Sequence, residues 1–358
     1  MAASRPYQVS KASALSVAVI GLGFGAIHAR VLSEMDGVDL VAVCDKDEGR
    51  LAAVARGRTL RPYTDYREML RSERPDAVVV AVPTRLHEEV AVAAIETGAA
   101  VLVEKPIAPT LAEGRRLVAA AERRGVGLMA GHIERFNPAV VELKKRVDDG
   151  EAGRVLQLGA RRLGPFAARI RDVSVIHDLA LHDIDVMRFV LAAEITRVYA
   201  ETQTGVRTPF EDSVNAVVRL EGAGLAPGAV GVLDVNWLTP KKVRQLWLLG
   251  ERGLFVADYA DYLAPTLEFH RGQEGEGAGL TGRTWSTLAN LRGRDPGVTR
   301  VPIEPYEPLE QELSAFVQAV ATGAPMPVGS RDALAALAVA DALAESGRTG
   351  MPVEPAKE

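Results

Sequence analysis

The stretch SVAVIGLGFGAIHARVL, residues 16–32, decides the reading of this 358-residue chain. An apolar strand runs into Gly21, Leu22, Gly23, Phe24, Gly25 and Ala26, and then directly into a helical pattern. This is the G-x-G-x-x-G/A turn with alanine last. The first glycine allows the tight turn, and the second lets the backbone approach a pyrophosphate. The small third residue lets helix and strand pack closely, and the helix N-terminus faces the anion. Such a turn needs an acid at the end of the next strand, and VDLVAVCD ends there in Asp45. A carboxylate at that place accepts hydrogen bonds from ribose hydroxyls and repels a 2′-phosphate, so NAD is expected as cofactor. Lys46 and Arg50 lie close and keep NADP as the lesser alternative. The turn residues Gly21, Gly23, Phe24, Gly25 and Ala26, with Asp45, are the expected cofactor contacts.

Outward from this turn, short apolar strands alternate with helical stretches as far as about Gly131, through DAVVVAVP, HEEVAVAAIETG, AAVLVEKP and VGLMAGH. Apolar strands alternating with helices of ten or more residues indicate βαβ units and a parallel sheet covered on both faces. Ligands bind beyond the carboxyl ends of such strands. Pro83, Thr84 and His87 follow one strand and, with Glu104 and Lys105 at the end of another, are expected at the cofactor. VLVEKP ends another strand in Glu104, Lys105 and Pro106. A lysine there is badly placed for solubility and well placed for chemistry.

Beyond Asn137 the pattern changes to longer strand-like segments with turns between them, RVLQLGARRLG through GLFVADYADY, and then two final helices. The expected fold is α/β: an N-terminal dinucleotide-binding domain, then an α+β domain with an open, mostly antiparallel sheet. The expected boundaries are a loose tail over 1–14, a first domain over 15–135, a second over 136–345 and a tail over 346–358. The final helices are expected to pack back on the first domain. Residues 271–283 are Gly-rich and polar, as in a loop.

Composition narrows the class. The 47% hydrophobic and 25% charged content is that of a soluble globular protein. A net charge of −5 argues against a nucleic-acid binder, which shows a basic face. No apolar run reaches the length of a membrane helix, and no signal peptide is evident. The single cysteine, Cys44, excludes an internal disulfide, fits a cytoplasmic location and reads as a buried core thiol.

Asp178, His182 and Asp185 are spaced four and then three apart, which puts them on one face of a regular helix. A histidine flanked by carboxylates can be tuned to take a proton near neutral pH. A metal site is the alternative, but no second His/Cys set with ligand spacing is present, so no metal is expected. His177 and Asp183 point elsewhere on such a helix and are expected to be supporting residues. Arg161, Arg162, Arg169, Arg171, Lys242 and Arg244 form a basic set suited to phosphate. Arg135 and Asn137 are placed to bond sugar hydroxyls, and Trp237 to form an apolar wall or part of the core.

VIGLGFGAIHARVL, VAVPTRLHEEV, VLVEKPIA and D-x-x-x-H-x-x-D together resemble the Gfo/Idh/MocA oxidoreductase family over about residues 14–345. Ala26 and Ala180 stand where that family commonly has glycine. GHIERFNPAV, residues 160–189 and residues 235–259 are similar to the family's UDP-N-acetylglucosamine 3-dehydrogenase type. The resemblance implies oxidation of a secondary hydroxyl, C3, of a nucleotide-activated sugar, with an aminotransferase acting next. It implies Lys105, Asp178, His182 and Asp185 as the catalytic set, with His182 oriented by Asp185 and Lys105 by Asp178. It also implies a homodimer or homotetramer joined through the open sheet. A keto-sugar reductase, an inositol dehydrogenase and a non-catalytic NAD-binding protein are the alternatives.

Overall fold

The computed structural model describes residues 14–167, 173–272 and 298–357. The expected N-terminal tail and nearly all of the Gly-rich loop lie outside the described residues, as do Arg169 and Arg171.

The first sheet has six parallel strands, β1 (Leu15–Ile20), β2 (Val38–Cys44), β3 (Arg61–Tyr63), β4 (Ala77–Val80), β5 (Ala100–Glu104) and β6 (Leu128–Gly131), in the order β3-β2-β1-β4-β5-β6. This is the doubly wound dinucleotide-binding order, whose switch point lies between β1 and β4. Helices α1 (Gly25–Glu34), α2 (Glu48–Ala55), α3 (Tyr66–Glu73), α4 (His87–Glu96) and α5 (Leu111–Arg124) connect the strands. Their ends follow local chemistry. Asp47 and Asp65 cap α2 and α3 by accepting two backbone N–H groups each, and Thr110 caps α5. β3 and α3, within residues 59–73, are not among the elements expected from the sequence. Cys44 is buried, and burial pushes its thiol up to about 12, as a core thiol requires.

Past a short 3-10 turn over Ile133–Phe136 comes α6 (Pro138–Asp148), then β7 (Val155–Pro165). A π-helical turn, Ile176–Ala180, leads into α7 (Leu181–Leu191). The second sheet adds β8 (Glu194–Thr204), β9 (Glu211–Glu221), β10 (Leu225–Asn236), β11 (Leu238–Gly250), β12 (Gly253–Asp258), β13 (Thr266–Arg271) and β14 (Val298–Arg300). Its order is β14-β13-β12-β11-β7-β10-β9-β8, antiparallel except where β7 meets β10. Inward residues of this sheet, such as Val218, Leu233, Leu246 and Phe255, form a second core with α6 and α7.

Two helices close the chain, α8 (Pro308–Thr322) and α9 (Ser330–Thr349). Leu309, Leu313 and Phe316 of α8 enter the first core. α9 serves both cores, with Leu334 and Leu337 in the first and Val339 and Leu343 in the second. The stretch read as a C-terminal tail begins inside α9, and Val353 then bridges to Val198 of β8. Among the described residues no helix is long and apolar enough to cross a membrane.

Candidate active site

Four chain ends meet above the first sheet: the glycine turn after β1, Asp45 after β2, Val82–Thr84 after β4 and Lys105 after β5. Gly21 has φ +90, and a Cβ there would stand 2.6 Å from the Ala81 carbonyl oxygen. Only glycine fits both conditions. Gly23 is open, its added Cβ meeting only an Arg50 side-chain nitrogen at 3.8 Å. Gly25 packs against Val19 and Ala81. Phe24 caps α1 with no side-chain hydrogen bond, so the first N–H groups of the helix are left for an anion. Asp45 takes the Leu22 N–H at 2.6 Å and the Asp47 N–H at 2.8 Å, and Arg50 stands 3.6 Å from it. A carboxylate has about four acceptor positions, so Asp45 braces the turn and still has capacity for ribose hydroxyls. These features fit a dinucleotide: a cradle without side chains, free helix N–H groups and an acid at the ribose position. When bound, NAD+ supplies the acceptor for a hydride.

Lys105 meets the second domain at this point. Its Nζ donates to Asp178 Oδ1 at 2.6 Å and to the Asp178 carbonyl oxygen at 2.7 Å. Both side chains are mostly buried, at 14% and 18% exposure. Behind Lys105, Glu104 takes the Lys105 N–H, and His28 Nε2 lies 2.8 Å from Glu104 Oε1. Burial pushes the Glu104 carboxyl up, but His28 and Lys105 together hold it below its ordinary value. His182 is held well below the ordinary histidine range, first by burial and then by Lys105, Arg162, His132 and Arg244 around it. It is therefore neutral at pH 7. Its Nδ1 is shut away from solvent with no hydrogen-bond partner, which leaves Nε2 to meet a hydroxyl.

The other expected contacts are not all free for ligand. Asp185 does not orient His182: Arg135 takes both of its oxygens, at 2.6 and 2.8 Å. The π turn before α7 breaks the regular helical phase, so Asp178 and Asp185 reach different partners. Arg135 also binds Asp332 at 2.9 Å and is buried, so it joins α7 to α9 instead of touching sugar. Asn137 is buried as the cap of α6, accepting from Ala139 N. Arg162 is buried between Asp183 and Glu134. Asp183 is thus a supporting residue, raised by burial against the pull of Arg162. Trp237 is a core residue whose Nε1 donates to Asp212 at 2.6 Å, with Phe166 edge-on. Lys242 is tied to the Ala260 carbonyl. His87 is buried with Nδ1 2.8 Å from the Pro106 carbonyl oxygen and Nε2 2.9 Å from that of Val82. It braces the Lys105 turn rather than reaching the cofactor.

Arg244 is the expected arginine that does lie at His182. Its Nη1 serves the Leu163 and Val243 carbonyls. Burial, then Arg162, pulls it down to about 10. His132 went unnoticed in the sequence because it follows an apolar strand in a position typical of a turn. It is buried, with Nδ1 3.8 Å from Asp185 Oδ2. His177 joins Ser174 to Asp341 of α9 and so pins the turn that carries Asp178.

A dinucleotide cradle, a lysine held by an acid and a neutral histidine beside it define an NAD-dependent dehydrogenase acting on CH–OH groups. Residues 15–132 match the oxidoreductase family with an NAD-binding Rossmann fold, and residues 140–256 match the GFO/IDH/MocA C-terminal domain. The chain belongs to the Gfo/Idh/MocA oxidoreductase family and is a sugar-type dehydrogenase of that family. It is 33% identical to inositol 2-dehydrogenase 2 of Saccharopolyspora erythraea, covering 95% of this chain and 96% of that one. It is 29% identical to scyllo-inositol 2-dehydrogenase (NAD(+)) of Bacillus subtilis, covering 94% and 95%. Among solved structures it resembles UDP-N-acetylglucosamine 3-dehydrogenase of Acidithiobacillus ferrooxidans, with TM-score 0.77, 26% identity and coverage of 93% and 97%.

Proposed function

We propose that this dehydrogenase oxidises a secondary hydroxyl of a free cyclic polyol of the inositol type. The observation that carries this reading is the commitment of the basic set. Arg135 and Arg162 are buried and spend their donors on Asp185, Asp332, Asp183 and Glu134, while exposed Lys242 gives one donor to the Ala260 carbonyl. Two of the arginines expected to meet a diphosphate are therefore spent inside the fold. The likeness to inositol 2-dehydrogenases over the whole chain supports the same class.

In this mechanism Lys105 Nζ, held by Asp178, donates a hydrogen bond to the hydroxyl oxygen. His182 Nε2 takes the hydroxyl proton as the carbon gives up its hydride and the C=O bond forms. A neutral histidine is the form that can accept that proton. Lys105 then stabilises the negative charge gathering on oxygen.

A second reading keeps the nucleotide sugar, oxidised at C3 before an aminotransferase step. Arg244 favours it, with Nε and Nη2 uncommitted close to His182, and so does the UDP-N-acetylglucosamine 3-dehydrogenase likeness. NADH formation with myo-inositol, scyllo-inositol, free N-acetylglucosamine and UDP-N-acetylglucosamine separates the two. Turnover of an inositol alone is expected. Turnover confined to the UDP-sugar overturns the polyol reading.

A further inference from the structure

Glu312 sits on the inner stripe of α8 with Leu309, Leu313 and Phe316, at 0% exposure. Neither of its carboxyl oxygens has a hydrogen-bond partner. The charges that act on it are Glu104 at the end of β5 and Asp185 on α7, both negative. Each already has its own partner, His28 for Glu104 and Arg135 for Asp185. α8 packs against α1 and against the turn over Ile133–Phe136. From α1 comes His28, while Arg30 and Glu34 pair at the surface. From the turn and the residue before it come His132, Glu134, bound by Arg162, and Arg135. Among the described residues no cation pairs with Glu312. A carboxylate buried beside two others is strongly disfavoured, so burial, then Glu104 and Asp185, push the Glu312 carboxyl well above the ordinary carboxylate range.

Both of its charged neighbours belong to the site. Glu104 precedes Lys105 in the chain, and Asp185 shares α7 with His182. We propose that Glu312 is a buried proton-binding site that responds to the charge of the dinucleotide. It holds its proton in the free and NADH-bound protein and yields it in part when the positively charged ring of NAD+ docks beside Lys105. The oxidised ring carries a unit of positive charge that the reduced ring lacks, and that charge favours the carboxylate form. Only the O–H bond of Glu312 breaks, and its proton passes to solvent. Linkage is reciprocal, so rising pH must tighten NAD+ relative to NADH, by at most about tenfold per pH unit.

This inference rests on NAD binding and not on which alcohol is oxidised, so a negative substrate panel leaves its test intact. Titration calorimetry of the full chain with NAD+ and with NADH, in buffers of different ionisation enthalpy over a pH series, counts the protons exchanged. NAD+ is expected to release a fraction of a proton that NADH does not. Glu312→Gln, which keeps the shape without the proton, is expected to lose that difference, and His182→Asn to keep it. Equal release with both cofactor forms, equal release by wild type and Glu312→Gln, or loss of the difference in His182→Asn overturns the proposal. Should Glu312→Gln fail to fold, infrared difference spectra of the wild type decide. The carbonyl band of a protonated carboxyl is expected to weaken with NAD+ and not with NADH, and an unchanged band with NAD+ overturns the proposal.

Discussion

In the proposed mechanism Lys105 and His182 act on one oxygen from two domains, and each needs its neighbours to do so. Asp178 holds the ammonium from both its side chain and its backbone. Burial, and then the cations around His182, keep its ring neutral. Lys105→Ala and His182→Ala are each expected to lower kcat/KM about 10²–10⁴-fold. NAD+ affinity by calorimetry should change little. Near-normal turnover in either variant contradicts the assignment. The pH profile follows from the sign of the His182 shift. A base with a depressed value stays neutral as pH falls through the ordinary histidine range near 6.5. The acidic limb of kcat/KM is thus expected below pH 6.5, and a limb at or above that value contradicts a neutral His182.

At the scale of elements, the site is a junction held by buried ion pairs. Arg135, on the turn after β6, binds Asp185 of α7 and Asp332 of α9. Arg188 of α7 reaches the same Asp332. Removing one partner of a buried pair leaves a charge without compensation, at about 3–5 kcal/mol. Asp185→Ala is expected to lower stability by that amount in urea unfolding, since Arg135 and Asp185 are both buried. A loss under about 1 kcal/mol would mean that Arg135 finds another partner. The π turn belongs to this scale too. The four-and-three spacing of Asp178, His182 and Asp185 suggests one shared face, yet across one irregular turn the two acids meet different partners, Lys105 and Arg135. Glu312 shows the reverse case: Leu309, Glu312, Leu313 and Phe316 recur at helical spacing, so an acid in an apolar stripe was readable before any coordinates.

At the scale of the whole molecule, the outer face of the second sheet carries an apolar row. Tyr199, Val217, Val232, Trp247 and Val256 lie in register across β8, β9, β10, β11 and β12, with Trp247 covering Gly159 of β7. Tyr199 and Val217 are 38% and 48% exposed. We propose that this contiguous apolar patch is where subunits meet. Light scattering is expected to find two or four chains per particle, and a monomer at micromolar concentration contradicts that. The family resemblance joined Lys105 to Asp178 and His182; the residues by themselves determined the doubly wound first domain, the NAD cradle, Asp45 and the place of Lys105 at a strand end. Those features depend on local period, turn chemistry and position at strand ends, all written along a short stretch of chain. The tertiary structure alone decided which charges remain free. Arg135, Arg162 and Trp237 look like ligand contacts until their partners arrive from elsewhere in the chain, as Asp332 does for Arg135, whereas Asn137 is used locally as the cap of α6. Pairing across such distances follows from packing, because a buried charge takes whatever opposite charge the fold brings to it.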